Sequence, residues 1–408
     1  MSGEVSVDVA GAVPPVFDQL VGQPHAIEVL TRASRAAAEL IGGAGPGTSM
    51  THSWLFVGPP GSGRSTAARA FAQALQCSNG GCGECPDCHT VKVGTHTDVH
   101  VVTPEGLSIS VKEMREIVRV AAFQPSGRRW QIVIIEDADR LTEGASNALL
   151  KAIEEPSPHT VFLLCAPTTH PDDVSVTVRS RCRVLSLGTP PAEAVAQVLA
   201  TRDGIEHDIA LWAARAAQGH VGRAKRLATD QSARNRRQTV LSVPLRLVSM
   251  AGCLQAAEEL VAAAEDEAKQ ISESLDAREK DALSQSLGAG GTGKGAGTAA
   301  RGMSGQIKDL ERRQKTRATR VQRDALDRAL VDLTGFYRDV LLIQVGADVG
   351  LSHDDHREQA TEVAALVSQE WVLRALDRIV MTRQSLDENV KPRVALAALT
   401  TSLRLPPR

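Results

Sequence analysis

Residues 58–65 form a glycine-rich loop whose residue types could hold phosphate. The loop reads Gly58-Pro59-Pro60-Gly61-Ser62-Gly63-Arg64-Ser65 and is followed by Thr66. A strand is expected before it and a helix after it, and in that context backbone N–H groups bind phosphate at the helix N-terminus. Arg64 stands where such loops usually carry lysine, and a planar guanidinium is longer than a compact ammonium. The loop therefore predicts phosphate binding but not hydrolysis; an ordinary turn without nucleotide is the alternative.

Two carboxylates, Glu136 and Asp137, follow the most apolar stretch of the chain. A nucleotide hydrolase of this kind usually has Asp first, to hold Mg²⁺, and then a Glu that orients the attacking water. The reversed order displaces both carboxylates by about a methylene, and a misplacement of about 1 Å can cost roughly a hundredfold in rate. The sequence thus predicts a degenerate ATP site, with occupancy by ATP and Mg²⁺ left open.

Four of the seven cysteines, Cys77, Cys82, Cys85 and Cys88, lie close together in the sequence. Soft ligands in two Cys-x-x-Cys steps are typical of a tetrahedral zinc site, and four thiolates leave no coordination position for water. Glycines and a proline between them allow the chain to fold around an ion. The sequence therefore predicts a structural zinc; free or redox-paired cysteines, or an iron–sulfur cluster, are the alternatives.

Short apolar runs alternate with amphipathic stretches from Ser53 to Gly188, and these elements must position the groups described above. The predicted strands cover 53–57, 99–102, 131–135, 160–166 and 183–187, and the predicted helices cover 64–75, 110–122 and 144–153. Continuously apolar strands separated by helices are typical of a parallel sheet covered on both faces. The sequence predicts a doubly wound α/β domain.

The rest of the chain has helical patterns. Ala-rich segments at 192–200, 209–218 and 222–228 predict a small helical domain over 189–235. An all-α domain is predicted over 236–408, where 363–381 and 390–403 have apolar residues at helical spacing that suit subunit packing or burial within the domain. A Gly-rich segment at about 284–305 is expected to be a flexible insertion, because its composition cannot bury apolar surface.

Composition restricts the classes of function. The 408 residues predict two to four domains, and 46 Lys and Arg against 48 Asp and Glu exclude a chain that coats nucleic acid by charge alone. Six Phe, four Trp and one Tyr are too few for a base-stacking platform. Residues 301–323 carry eight basic residues against two acidic ones, which indicates a solvated helix face or a local DNA contact. With no signal-peptide pattern and no bilayer-spanning run, we expect a cytoplasmic protein without membrane contact.

Together these motifs resemble the clamp-loader subunits of bacterial DNA polymerase III, within the AAA+ family. The resemblance rests on the phosphate loop, the cysteine cluster and the segments 17–23, 146–156, 178–182 and 389–396. It implies an AAA+ parallel-sheet, ATPase-like domain over 1–188 with a zinc-binding loop at 77–88. It also implies that 189–235 is a helical lid domain and that 236–408 is an all-α collar-type oligomerisation domain.

The resemblance assigns further residues to nucleotide chemistry. Arg181, within Ser180-Arg181-Cys182, corresponds to an arginine finger that acts in trans on ATP bound by a neighbouring subunit; a cation at a helix C-terminus is the alternative. Thr168 and Thr169 align with a γ-phosphate sensor, and Arg223 lies one residue after the usual second sensor. The implied nucleotide-binding set is Val21, Gly22, Gly58, Pro59, Pro60, Gly61, Ser62, Gly63, Arg64, Ser65, Thr66, Glu136, Asp137, Thr168, Thr169 and Arg223.

The resemblance implies a scaffold or stator subunit of the replicative clamp loader, with weak or absent ATPase activity of its own. Such a subunit has ATPase motor subunits and a clamp-opening subunit as partners, and meets the sliding clamp and primed DNA through the assembly. Two alternatives remain open. The chain could be an ATP-hydrolysing motor subunit, or a zinc-containing module that binds DNA through the zinc loop and residues 301–323.

Overall fold

A computed structural model describes residues 13–43, 49–104, 106–127, 129–286 and 296–406. The described residues through Ala228, apart from 106 and 107, form one compact unit, and those from Thr229 onward form a second. We call these unit 1 and unit 2. Whether the helical residues 189–228 form a lid domain of their own stays a prediction. The boundary predicted between 235 and 236 falls inside a helix, Gln231–Arg246.

A five-stranded parallel sheet is the centre of unit 1. Its strands are β1 (Ser53–Val57), β2 (Val99–Val102), β3 (Gln131–Ile135), β4 (Thr160–Ala166) and β5 (Arg183–Ser186), in the order β2-β3-β4-β1-β5. Every pair of neighbours is parallel. The predicted α/β class is therefore confirmed, and four of the five strands have the predicted bounds.

Both faces of the sheet are buried, because successive side chains of a strand point to opposite sides. In β1, Trp54 and Phe56 lie in one apolar core, and Leu55 and Val57 lie in another. The first core is covered by α1 (Pro24–Ile41), α2 (Arg64–Gln76) and α3 (Pro86–Val93), and the second by α4 (Val111–Ala121), α5 (Glu143–Glu154) and the short α6 (Val176–Arg179). Helix α4 begins at a capping box in which Ser110 and Glu113 satisfy each other's backbone N–H groups.

Three further helices complete unit 1. They are α7 (Ala192–Asp203), α8 (His207–Ala216) and α9 (Val221–Thr229), which extends one residue past the boundary, and 3₁₀ helices cover Pro15–Gln19 and Ala138–Arg140. The three helices coincide with the Ala-rich segments of the sequence. The small alanine side chains allow close packing, and Ala210, Ala213 and Ala214 of α8 are fully buried.

Helices are the only regular elements among the described residues of unit 2. Its helices are α10 (Gln231–Arg246), α11 (Met250–Ser286), α12 (Ala296–Val345), α13 (Arg357–Leu366), α14 (Gln369–Asp387) and α15 (Pro392–Ser402), with a 3₁₀ turn at Asp354–His356. They share one apolar core that includes Phe336 and Tyr337. None of the described helices is apolar over a length that would cross a bilayer.

Two expectations for this helical region differ from the structure. The segment 363–381 is broken, since α13 ends at Leu366 and α14 begins after Ser368, whose hydroxyl accepts from the backbone N–H of Trp371. The insertion expected at 284–305 is helical at 284–286 and 296–305, and 287–295 lie outside the described residues. Alanines at 296, 299 and 300 favour helix and offset the glycines beside them.

Candidate functional site

The glycine-rich loop joins β1 to the first turn of α2, as the sequence predicts. Gly61 and Gly63 have φ of +89° and +88°, a left-handed backbone that favours glycine. Gly58 is required for space, because a Cβ there would lie 2.4 Å from the carbonyl oxygen of Leu187. The loop is thus held against Leu187, the residue that follows β5, and it leads directly into the N-terminus of α2.

A cavity of about 420 Å³ opens beside this loop. Its volume is within the range of small-molecule sites, about 300 to 1,000 Å³. Eight of the predicted nucleotide-binding residues line it: Val21, Pro60, Gly61, Ser62, Gly63, Arg64, Ser65 and Thr66. Seven residues outside the implied nucleotide-binding set complete the lining: Gln19, Leu20, Pro190, Arg202, His220, Val221 and Gly222.

Gln23, which lies in the segment 17–23 that carries the resemblance, fixes the position of the loop. Its buried side-chain amide donates to the carbonyl oxygens of Ser62, at 3.2 Å, and Gly188, at 2.6 Å. Its Oε1 accepts from the backbone N–H of Gly188 at 3.2 Å. One side chain therefore ties the phosphate loop to the end of the sheet.

The cations of the cavity come from the loop and from the helices after the sheet. Arg64 has a buried Nη1 with no hydrogen-bond partner among the described residues. Arg202 of α7 lines the cavity and also pairs with Asp203, Nη2 to Oδ2 at 2.8 Å. His220 lies over the loop, since a Cβ on Gly61 would be 2.7 Å from the Cβ of His220. Phosphate oxygens are groups that could accept hydrogen bonds from these donors.

Glu136 does not fit the role of a Mg²⁺ ligand. Its Oε1 accepts from both Nε and Nη2 of Arg69, at 3.0 and 2.8 Å, and its Oε2 accepts from the hydroxyl of Thr103 at 3.3 Å. A guanidinium is always charged, so it neutralises the carboxylate and repels a metal ion at the same oxygen. The sequence did not point to Arg69, because no sequence pattern relates a residue of α2 to the end of β3.

The remaining predicted nucleotide-binding residues do not line the cavity. Thr168 donates to Asp173, Oγ1 to Oδ2 at 2.5 Å, and accepts from the backbone N–H of His170, so its hydroxyl caps a turn. The carbonyl oxygen of Thr169 accepts from Arg179. The others outside the lining are Gly22, Gly58, Pro59, Glu136, Asp137 and Arg223, and their nucleotide roles stay predictions.

Arg181 follows α6 and is 37% exposed at its side chain. Its Nε lies 2.5 Å from Oε1 of Glu154 at the end of α5, and its Nη1 donates to the carbonyl oxygen of Thr177 at 2.9 Å. The side chain is thus held at the surface by its own chain. It does not line the cavity, and its role as an arginine finger stays a prediction.

The four clustered cysteines converge and could bind a metal ion. All four Sγ atoms lie within 4.8 Å of one another, and Sγ of Cys77 is 3.6 Å from that of Cys82 and 3.7 Å from that of Cys85. Metal–sulfur bonds of about 2.3 Å give tetrahedron edges of about 3.8 Å, close to these separations. Backbone N–H groups, with that of Glu84 foremost, lower the pKa of Cys82 to about 7, whereas burial raises the pKa of Cys85 and Cys88.

The cysteine loop is connected to the cavity by buried amides. Gln73 donates to the carbonyl oxygen of Cys88 at 2.8 Å and accepts at Oε1 from Gln19 at 3.1 Å. Gln19 lines the cavity, and the backbone N–H of Val16, three residues before it, donates to the carbonyl oxygen of Gly81 at 3.2 Å. The cysteine loop thus supports the segment that forms one wall of the cavity.

The basic segment of the sequence lies on a helical hairpin in unit 2. Nη1 of Arg317 donates to Glu279 and Nη2 to Asp276, both at 2.6 Å, which joins α12 to α11. These hydrogen bonds, with that to Glu279 the stronger, raise the pKa of Arg317. Arg320 pairs with Asp324 within α12. Part of the positive charge therefore stabilises the hairpin, while other cations of the segment are exposed: Lys308, Arg312, Arg313 and Lys315.

Comparison with known proteins gives a consistent set of relatives. Residues 40–191 match a protein-family model described as DNA polymerase III, delta subunit. The chain is 34% identical to DNA polymerase III subunit delta' of Haemophilus influenzae over 166 residues, which are 40% of this chain and 50% of that protein. It is 33% identical to subunit tau of Bacillus subtilis over 174 residues, 42% of this chain and 28% of that protein.

These alignments span half or less of the relatives' own lengths. Among solved structures, a DNA polymerase III gamma subunit-related protein from Thermotoga maritima aligns with 91% of this chain and 98% of its own. Its identity is 14% and its TM-score 0.37, so this similarity supports no conclusion.

Proposed function

We propose that the chain is a delta-prime-type subunit of the replicative clamp loader, because residues 40–191 match the family model described as DNA polymerase III, delta subunit. It acts as a scaffold, or stator, that helps a neighbouring ATPase subunit load the sliding clamp on primed DNA. Its partners are then motor subunits and a clamp-opening subunit, and it reaches clamp and DNA through the assembly.

The observation that carries the scaffold role is the pairing of Glu136 with Arg69 beside an otherwise well-formed phosphate loop. Two nitrogens of Arg69, Nε and Nη2, donate to the same oxygen of Glu136, Oε1, at 3.0 and 2.8 Å. Hydrolysis needs a carboxylate that can hold Mg²⁺ and a second that orients water. The loop, with Arg64 in place of lysine, keeps a phosphate-binding shape, while the carboxylate that would hold Mg²⁺ is bound by Arg69. This favours a degenerate ATP site.

Arg181 is the residue through which the scaffold would act on catalysis. A guanidinium that stabilises the charge developing on a transferred phosphoryl group is worth about 10³ to 10⁵ in rate. Its partial exposure and its contacts with Glu154 and Thr177 support a preformed side chain presented at the surface. In the assembly it would meet ATP on the neighbouring subunit, and Glu154 would hold it in place until then.

The cysteine cluster is proposed to hold a structural zinc ion. Four sulfur ligands fill a tetrahedral site, so the ion would order the loop between α2 and α3 and take no part in chemistry. Cys77 and Cys88 are fully buried in the core that includes Phe17 and Phe71. The ion would therefore stabilise unit 1 as well as its own loop.

Unit 2 is proposed to be the oligomerisation domain. Its helix α14 exposes Leu373, Val380 and Met381 by 51%, 48% and 55%, and their spacing places them on one helical face. Such a face suits packing against a helix of another subunit. The cytoplasmic location expected from the sequence stays a prediction.

The decisive experiment measures ATP turnover by the purified chain alone, and then with the motor subunit, clamp and primed DNA of the same organism. We expect no turnover alone, and turnover in the mixture that falls about a thousandfold per affected site with Arg181→Ala. Arg181→Lys keeps the charge without the planar fork and should rescue little. Arg115→Ala, an exposed arginine on α4, is the matched surface control.

Two results would contradict the proposal. Robust turnover by the chain alone, lost with Arg64→Ala, would make it a motor subunit. Unchanged turnover in a mixture that contains stably incorporated Arg181→Ala would remove the arginine-finger role. A separate measurement tests the alternative of a DNA-binding module centred on residues 301–323: DNA binding by the isolated chain that persists after charge reversal of Lys308, Arg312 and Lys315 would contradict that alternative.

A further inference from the structure

We propose that the cavity at the phosphate loop binds a nucleoside di- or triphosphate as a free anion, without Mg²⁺. This inference rests on the proposed nucleotide-like site and adds the form in which its ligand is bound. The side chains present do not suit the Mg²⁺ ion that a site of this family would hold.

Phosphate-loop proteins hold Mg²⁺ between the hydroxyl at the start of the loop helix and a carboxylate at the end of a neighbouring strand. The hydroxyl here is that of Ser65, which lines the cavity. The carboxylate is Glu136, and Arg69 and Thr103 bind its two oxygens. Mg²⁺ requires near-ideal octahedral geometry with oxygen ligands at about 2.0 to 2.1 Å. A metal at Glu136 would have to displace a charge-assisted bond from a permanent cation.

The lining of the cavity supplies positive charge and no negative charge. None of the described residues that line it is Asp or Glu, whereas two permanent cations, Arg64 and Arg202, line it. The backbone N–H groups at the N-terminus of α2 add a partial positive charge. Without carboxylates the lining offers a divalent cation no negatively charged ligand, whereas an anion meets the positive charge of Arg64 and of the helix N-terminus.

Arg64 has a donor for which the fold provides no acceptor. Its Nη1 is buried and lacks a hydrogen-bond partner among the described residues. A buried donor left unpaired is destabilising, so a phosphate oxygen at the loop would be favoured there. The planar guanidinium can donate two parallel hydrogen bonds to one phosphate, which a lysine cannot do. Arg64 can thus neutralise the charge that Mg²⁺ neutralises in a hydrolase.

The test is calorimetric titration of the purified full chain with ADP and with ATP, in excess EDTA and in excess MgCl₂. We expect the dissociation constant in EDTA to be equal to or lower than that in MgCl₂, because Mg²⁺ sequesters the free anion. Arg64→Ala should weaken binding about tenfold or more under both conditions.

Arg69→Met leaves Glu136 without its cation and is the informative variant. Its affinity should fall in EDTA, because an unpaired carboxylate now repels phosphate, and Mg²⁺ should restore it by about tenfold. The double variant Arg69→Met with Glu136→Gln removes the carboxylate as well and should be indifferent to Mg²⁺ again. Glu136→Gln alone tests the same point if Arg69→Met does not fold. Its nucleotide affinity, like that of the wild type, should not be raised by Mg²⁺.

Three outcomes overturn the inference: wild-type binding that is tighter by about tenfold or more in MgCl₂, no binding of either nucleotide under either condition, or binding that does not depend on Arg64. None of these affects the scaffold role. That role fails only if Arg181 is dispensable in the assembly or if the chain hydrolyses ATP alone, so the two failures are distinguishable.

Discussion

Removal of the metal from the cysteine cluster should destabilise unit 1 and leave a diagnostic local signature. The perturbation is chelation of the wild-type chain, or Cys82→Ser. Cys82 is partly exposed, whereas Cys77 and Cys88 are fully buried, so its substitution removes a ligand with little loss of core packing. Cys182→Ser, outside the cluster, is the matched control.

The magnitude follows from binding linkage. A ligand present at about 1,000 times its dissociation constant stabilises the folded state by about 4 kcal/mol. For a domain of about 150 to 250 residues, each kcal/mol shifts the melting temperature by about 2 to 4 °C. Unit 1 is of this size. Loss of a tightly held zinc should therefore lower its melting temperature by about 8 to 16 °C.

Three measurements test this prediction together. Metal analysis should find one zinc per chain, thermal unfolding should show the shift, and hydrogen exchange should rise in 77–94. Exchange should also rise near Gln19, because Gln73 connects it to the carbonyl of Cys88. A chain that purifies without metal, and melts at an unchanged temperature in the presence of a chelator, would refute the reasoning.

Further predictions concern the loop and the hairpin. Gly58→Ala should abolish nucleotide binding and lower the unfolding free energy by about 1 to 3 kcal/mol, because its Cβ would lie 2.4 Å from a backbone oxygen. Gly188→Ala, where a Cβ would meet open space, should change neither nucleotide binding nor stability. Gln23→Ala should cost about 1 to 3 kcal/mol by leaving buried backbone groups unpaired, as measured by denaturant unfolding. Arg317→Gln should lower the stability of unit 2 by about 1 kcal/mol, while Arg312→Gln, exposed on the same helix, should change it by less than about 0.5 kcal/mol. Equal effects of these two arginine substitutions would contradict the pairing of α12 with α11.

The local features of this protein could be predicted from its sequence. Four of the five strands have the predicted bounds, because continuous apolar runs between turn residues specify buried parallel strands without reference to distant parts of the chain. The cysteine spacing likewise indicated a convergent ligand set, since the four sulfurs are only a short loop apart. The phosphate loop was identifiable because glycine positions and the strand-to-helix context are both local.

The features that only the tertiary structure decided are pairings between distant residues. Arg69 and Glu136 are 67 positions apart, and Gln23 and Gly188 are 165 apart, so no local pattern relates them. Sheet order brings the end of β3 beside α2 and sets which cation meets which carboxylate. The basic segment shows the same limit, because its net charge is visible in the sequence, but the partners of Arg317 depend on the register of two long helices. Side-chain pairing needs the relative placement of elements, which composition and periodicity do not contain.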